Sequence, residues 1–162
     1  MNLTKHFTLE KLIHSDTADS LKINNSPTET HLKTLKHTCE YLLEPLRKLL
    51  NEHYGDACIL ITSGYRSSKL NKAIGGAKNS QHSKGEAVDI QVVANKKRIP
   101  HSETYELIKK WVKEGVLSVD QLISEESGSS KWVHISHSSW GKTKDRKQFL
   151  VYKNGTYTQD LT

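Results

Sequence analysis

The sequence predicts an α+β fold in which a small antiparallel sheet carries helices on one face. Three observations predict it. Two long segments repeat apolar residues at three-to-four spacing, and several short runs alternate apolar and polar residues. These helical and strand-type segments come in blocks rather than in strict alternation. A length of 162 residues, without internal repeats or low-complexity tracts, fits one domain spanning 1–162.

The elements follow in chain order. Residues 1–25 read as an N-terminal arm with one helical turn at 9–13. Ser26-Pro27-Thr28-Glu29 has the form of a capping box with proline at the first helical position. After it, Leu32, Leu35, Cys39, Leu42, Leu46 and Leu49 mark the inward face of a helix over 27–52. Pro45 lies within that pattern, so the helix must bend or restart there, because proline removes an internal hydrogen bond and clashes with the preceding turn. A short helix is expected at 67–74, stopped by Gly75-Gly76, and another at 102–114, with Leu107, Ile108, Trp111 and Val112 inward and Gly115 as its stop. Strands are expected at 58–62, 87–93, 120–125 and 132–136, with a hairpin over 148–158 turning at Asn154-Gly155.

Composition narrows the function classes. Apolar residues at 35% and charged residues at 26% give a globular balance and exclude a disordered chain. No stretch has the apolar length of a membrane span, and the first residues lack the apolar run of a signal peptide. The expectation is therefore a protein made in the cytoplasm without stable membrane insertion; its oligomeric state is left open, with a monomer favoured. A net charge of +6 favours a polyanionic partner, which nucleic acid, a membrane surface or an anionic cell wall would each satisfy. Cys39 and Cys58 stand in apolar surroundings without CxxC spacing and are read as buried, reduced thiols.

Two strands carry chemistry on their polar faces. In Ala87-Val88-Asp89-Ile90-Gln91-Val92, alternation sends Val88, Ile90 and Val92 to the core and Asp89 away from it. In Trp132-Val133-His134-Ile135-Ser136 the same logic turns His134 away from the core. A carboxylate in mid-strand is costly unless it is solvated, paired or metal-bound. His82 precedes Asp89 by seven residues, and Gly85 permits a turn that returns the imidazole towards the carboxylate. Two histidines and a carboxylate are a ligand set that leaves zinc one open position. A solvated polar face fits the spacing equally well. His6, His14, His31, His37, His53 and His101 read as surface or helix-face residues, and alternation places His137 on the face opposite His134.

A resemblance decides between these readings. Ser63-Gly64-Tyr65-Arg66-Ser67, Ser80-Gln81-His82-Ser83-Lys84-Gly85-Glu86-Ala87-Val88-Asp89-Ile90 and Trp132-Val133-His134-Ile135-Ser136 resemble, in order, the signature of the zinc D-Ala-D-Ala carboxypeptidase family. Ser15-Asp16-Thr17-Ala18, Leu43-Glu44-Pro45-Leu46-Arg47 and Leu70-Asn71-Lys72-Ala73-Ile74-Gly75-Gly76 are similar to its phage and prophage branch, so the likeness covers about 7–137. It leaves 138–162 as a C-terminal extension with the hairpin. The resemblance implies the sheet-and-helix fold shared with the hedgehog signalling domain, Zn2+ on His82, Asp89 and His134, and Arg66 and Ser80 on substrate. Many members place a catalytic glutamate three residues before the last histidine, where this chain has Lys131. In the phage-type branch the base falls at the end of the preceding strand. That implies Glu125, with Glu126 as the alternative.

The implied activity is hydrolysis of peptidoglycan stem peptides, as a D-Ala-D-Ala carboxypeptidase or an endolysin-type endopeptidase, reaching the wall after lysis, phage-mediated release or virion delivery. Two other readings compete. One is a non-catalytic zinc domain that binds wall or partner, with Arg66 in a structural ion pair. The other is a nucleic-acid binder using Lys96-Lys97-Arg98, which lacks any aromatic-basic motif or zinc-finger spacing. Phe149, Val151 and Tyr157 are expected to complete the sheet rather than contact substrate.

Overall fold

The computed structural model describes residues 1–138 and 144–162. Residues 139–143 of the C-terminal extension lie outside the described residues. The chain opens with two short helices, α1 (Leu9–Ile13) and α2 (Asp16–Ser20), capped by the hydroxyls of Thr8 and Ser15. Only the first is legible from apolar spacing, because α1 carries Leu9, Leu12 and Ile13 whereas the only apolar residue of α2 is Ala18.

Helix α3 (Glu29–Thr38) begins at Thr28, whose hydroxyl accepts from the His31 amide, so the cap lies two residues after Ser26. The long helix restarts at Pro45, which falls in the first turn of α4. A π-helical segment, Cys39–Leu43, joins α3 to α4 (Glu44–Tyr54), and the Glu44 amide donates to the Cys39 carbonyl. This wider winding accommodates the proline ring and its missing donor. It also shifts the phase of the buried stripe, so that Leu43 and Leu50 are fully buried and Leu49 only partly.

The remaining elements are β1 (Ala57–Ser63), α5 (Ser68–Ala73), a 3-10 turn (Gln81–Lys84), β2 (Ala87–Ala94), β3 (Lys97–Arg98), α6 (His101–Lys113), β4 (Gln121–Ser127), β5 (Ser130–Ser136), β6 (Gln148–Lys153) and β7 (Thr156–Gln159). The described strands form one sheet ordered β1-β2-β5-β4-β6-β7, with β3 beside β2. All pairings but one are antiparallel. The exception corrects the sequence expectation, because β6 runs parallel to β4. The chain leaves β5 and enters β6 at the same end of the sheet, passing over β4, so β6 opposes β5 and must follow β4.

One sheet face carries Val88, Ile90, Val92, Leu122, Val133 and Ile135, which pack with Leu35, Leu42, Leu46, Leu50, Ile108 and Val112 from the helices. Two inward assignments change. Leu107 is only partly buried, whereas Lys109 is buried and reaches Asp160. Cys39 is buried and burial pushes its thiol up to about 12. Cys58 is exposed, against expectation, because it alternates with Ala57 and Ile59, which face the core from β1. Both cysteines are free.

Candidate metal centre and cleft

The opposite face of the sheet collects the polar residues. Asp89 on β2 lies across from His134 on β5, and His134 across from Ile123 on β4. The next row carries Trp132 on β5, Glu125 on β4, Tyr152 on β6 and Tyr157 on β7, each opposite its neighbour. Residues directly opposite in register share a face, so seven side chains from five strands stand on one surface.

His82 arrives from outside the sheet. It lies in the 3-10 turn capped by Ser80, whose hydroxyl accepts from the His82 amide, and the turn closes at Gly85 with φ +80. A side chain on Gly85 would also meet the His31 carbonyl, so both backbone angle and space require glycine there. The ring is fixed by a 2.8 Å contact from Nδ1 to the Gly64 carbonyl. A carbonyl only accepts, so Nδ1 carries the proton and the Nε2 lone pair faces Asp89 Oδ1 at 3.4 Å. His134 Nδ1 lies 3.1 Å from the same oxygen, and the two imidazole rings are 5.1 Å apart.

His82, Asp89 and His134 are each buried, and one ligand atom from each lies within 4.8 Å of the others. Two imidazole nitrogens and a carboxylate oxygen turned to one point, with the first imidazole held by a carbonyl behind it, suit a divalent ion of the zinc type. Burial alone would raise the Asp89 carboxyl. The two imidazoles outweigh it and hold the group well below the usual carboxylate range.

Arg66 and Glu125 flank this cluster. Arg66 donates from Nη2 to Asp89 Oδ2 at 3.4 Å and from Nε to Ser63 Oγ at 3.2 Å, and its amide donates to the His82 carbonyl. Glu125 Oε1 lies 4.0 Å from His134 Nδ1. Burial, reinforced by the negative charge of Asp89, pushes Glu125 up to about 7, against the pull of His134, Arg66 and the Trp132 indole N–H. Glu126 points to the other face and pairs with His101 at 3.1 Å and Lys153 at 3.8 Å. Lys131 is exposed and paired in register with Glu126, on the far side from the metal cluster.

Sequence reading missed several contributors. The N-terminal arm supports the site directly, because Leu12 takes the Tyr65 amide and Asn25 bonds the Tyr65 carbonyl and the Ser67 amide on either side of Arg66. Gly64 is wedged there, with room for no side chain against the Leu12 carbonyl. Buried Asp120 binds Arg146 and Gln81, the residue before His82. Tyr157 is in the sheet as expected but on the face of the metal cluster, its ring tilted against Tyr152 at 4.7 Å between ring centres. Burial and the charge of Glu125 raise its phenol. Alternation could have placed Tyr152, but no local signal says that β6 adds beside β4.

Other histidines keep apart. His137 pairs with Asp145 at 3.2 Å and lies edge-on to His37, and His101 is committed to Glu126. His14, Asp16 and Asp19 also converge, but all three are exposed.

Two grooves share Thr62 and Ser63 in their linings. One, of about 250 Å³, runs past Arg66 and Ser63 towards Ser15 and Thr17. The other, of about 620 Å³, runs from Asp89 and Trp132 past Gln91 to Arg98. No curated protein matches the chain. A family profile described as Peptidase M15 matches residues 5–136.

Proposed function

Because the chain belongs to the peptidase M15 family, we propose that it is a zinc-dependent peptidase acting on the stem peptides of bacterial peptidoglycan. The observation that supports this most is the convergence of His82, Asp89 and His134 beside a carboxyl and a guanidinium. His82 through Nε2, His134 through Nδ1 and Asp89 through a carboxylate oxygen would hold the ion. When bound, zinc supplies Lewis acidity that makes water a nucleophile source at neutral pH.

The other steps belong to the chain. Glu125, whose proton affinity is raised to about 7, takes the proton of the attacking water and can return it to the leaving amine. Arg66, tied to Ser63 and Asp89, keeps its guanidinium beside the cluster to hold a substrate carboxylate or the oxyanion that develops at the scissile carbonyl. Ser80 already accepts from the His82 amide, which leaves its own O–H to donate to substrate. Tyr152 and Tyr157, in ring contact, form the wall of the cleft beyond Glu125.

Both D-Ala-D-Ala carboxypeptidase and endolysin-type endopeptidase activity fit an open cleft with a groove on each side of the centre. Delivery to the wall by lysis, phage-mediated release or a virion belongs to the same proposal. The test is digestion of purified peptidoglycan by the zinc-loaded protein, with mass analysis of the fragments. Released D-alanine identifies the carboxypeptidase, and internally cut stems identify the endopeptidase. An intact digest with zinc present at one ion per chain would support the non-catalytic wall-binding alternative.

A further inference from the structure

The larger groove ends in positive charge. Its floor follows the site face of β2 from Asp89 to Gln91, and Arg98 pairs in register with Val93, four residues beyond Asp89. At strand rise this sets Arg98 roughly 13 Å along the strand from Asp89. Thr62 and Ser63 line one side, and Ser129, Ser130, Lys131 and Trp132 line the other. Gln91 is tied across it to the Lys131 carbonyl at 3.0 Å.

The charge at this end is uncommitted. Arg98 has no acidic partner among the described residues and is exposed. The groove is thus a polar trough, rich in hydroxyls, that leads from the catalytic face to a free cation. A guanidinium so placed would meet a carboxylate three to four extended residues from the reacting bond.

We propose that this groove is a substrate subsite for a carboxylate-bearing peptide segment, with Arg98 as its binding group. The proposal takes its substrate class from the peptidase reading above, but its charge preference stands on the groove alone. The carboxylate could be the peptide's own C-terminus or one carried on an internal acidic residue.

The experiment uses synthetic stem peptides containing D-glutamate in four forms: all carboxylates free, the internal carboxylate amidated, the C-terminus amidated, and both amidated. Binding is measured to the zinc-loaded Glu125→Gln protein, so that no peptide is consumed. One of the single amidations should weaken binding by about tenfold, the scale of one charge-assisted hydrogen bond, and which one does so identifies the source of the carboxylate. Arg98→Glu should abolish that preference, and Arg98→Gln should reduce it while leaving the melting temperature unchanged. With the wild-type base restored, the Arg98 substitution should raise KM and leave kcat. Equal binding of all four forms, no binding of any form, or equal weakening of free and amidated peptides by the charge reversal would overturn the subsite. Charge-dependent binding without cleavage by the wild-type protein would instead overturn the peptidase reading and leave the groove standing.

Discussion

At the scale of the residue, the decisive pair is Glu125 and Glu126. They are adjacent in sequence and alike in chemistry, yet one faces His134 and the other His101. Neutralising Glu125 removes a proton acceptor without touching a ligand atom. Glu125→Gln should therefore keep one zinc per chain and lose about 10²-fold or more of peptidase turnover, whereas Glu126→Gln should cleave at nearly the wild-type rate. Metal analysis and fragment assays on the two purified variants provide the comparison, and the reverse pattern would move the base to Glu126. Arg66 is the second case. Its guanidinium touches Asp89 at 3.4 Å but offers the metal no lone pair. Arg66→Ala should retain zinc and lose on the order of 10²- to 10³-fold in turnover. Arg66→Lys should recover part of this, since a point charge replaces the charge but not the planar fork. Unchanged kinetics in Arg66→Ala would return the residue to a structural ion pair.

At the scale of the element, the site depends on parts whose sequences show no chemistry. Helix α1 holds the loop of Gly64, Tyr65 and Arg66 through the Leu12 carbonyl, and Gly64 in turn orients His82. Gly64→Ala would drive a methyl group into the Leu12 backbone, so it should lower both the melting temperature and zinc content. A variant that keeps full zinc would show that the loop can yield. The C-terminal end is strapped to α6 by Asp160, which accepts from Tyr105 at 2.8 Å, Lys109 at 2.9 Å and Thr162. The Thr162 hydroxyl and the Lys109 ammonium hold the Asp160 carboxyl well below its ordinary value of 3.8. A depressed carboxyl stabilises the fold above its unfolded value and ceases to as pH falls through the folded one. The strap should therefore be firm at neutral pH and loosen only below about pH 3.8. Amide exchange of residues 156–162 between pH 6 and pH 3 would follow it. Asp160→Asn should cost about 1–3 kcal/mol at neutral pH and flatten the acid dependence.

At the scale of the whole molecule, the candidate ligands come from a 3-10 turn, β2 and β5, so a bound ion ties together distant parts of the chain. Binding to the folded state alone adds stability that grows with free metal, about 2.7 kcal/mol at a hundred times Kd. Chelation should lower the melting temperature and zinc should restore it, whereas His82→Ala and His134→Ala should no longer respond. A melting temperature indifferent to chelator would remove the metal from the folded site. Part of the charge of +6 gains a location on the same scale, with Arg98 at one end of the cleft. Among the described residues, no helix is long and apolar enough to cross a membrane.

What the sequence determined by itself is what local physics controls. Alternation put Asp89 and His134 on the non-core face, the spacing around Gly85 predicted the turn that returns His82, and the helical periods found α3, α4 and α6 within a residue or two. Tertiary structure decided whatever depends on residues far apart in the chain. The parallel entry of β6 beside β4 placed Tyr152 and Tyr157 in the cleft, and the pairing of β4 with β5 decided that Glu125 rather than Glu126 shares the face of His134. The carbonyl of Leu12 made Gly64 indispensable, and the pairing of β3 with β2 carried Arg98 to the end of the groove. The reason is that periodicity reports which face a side chain takes on its own element, whereas the neighbours across that face are chosen by packing and hydrogen bonding between elements, which no short window of sequence contains.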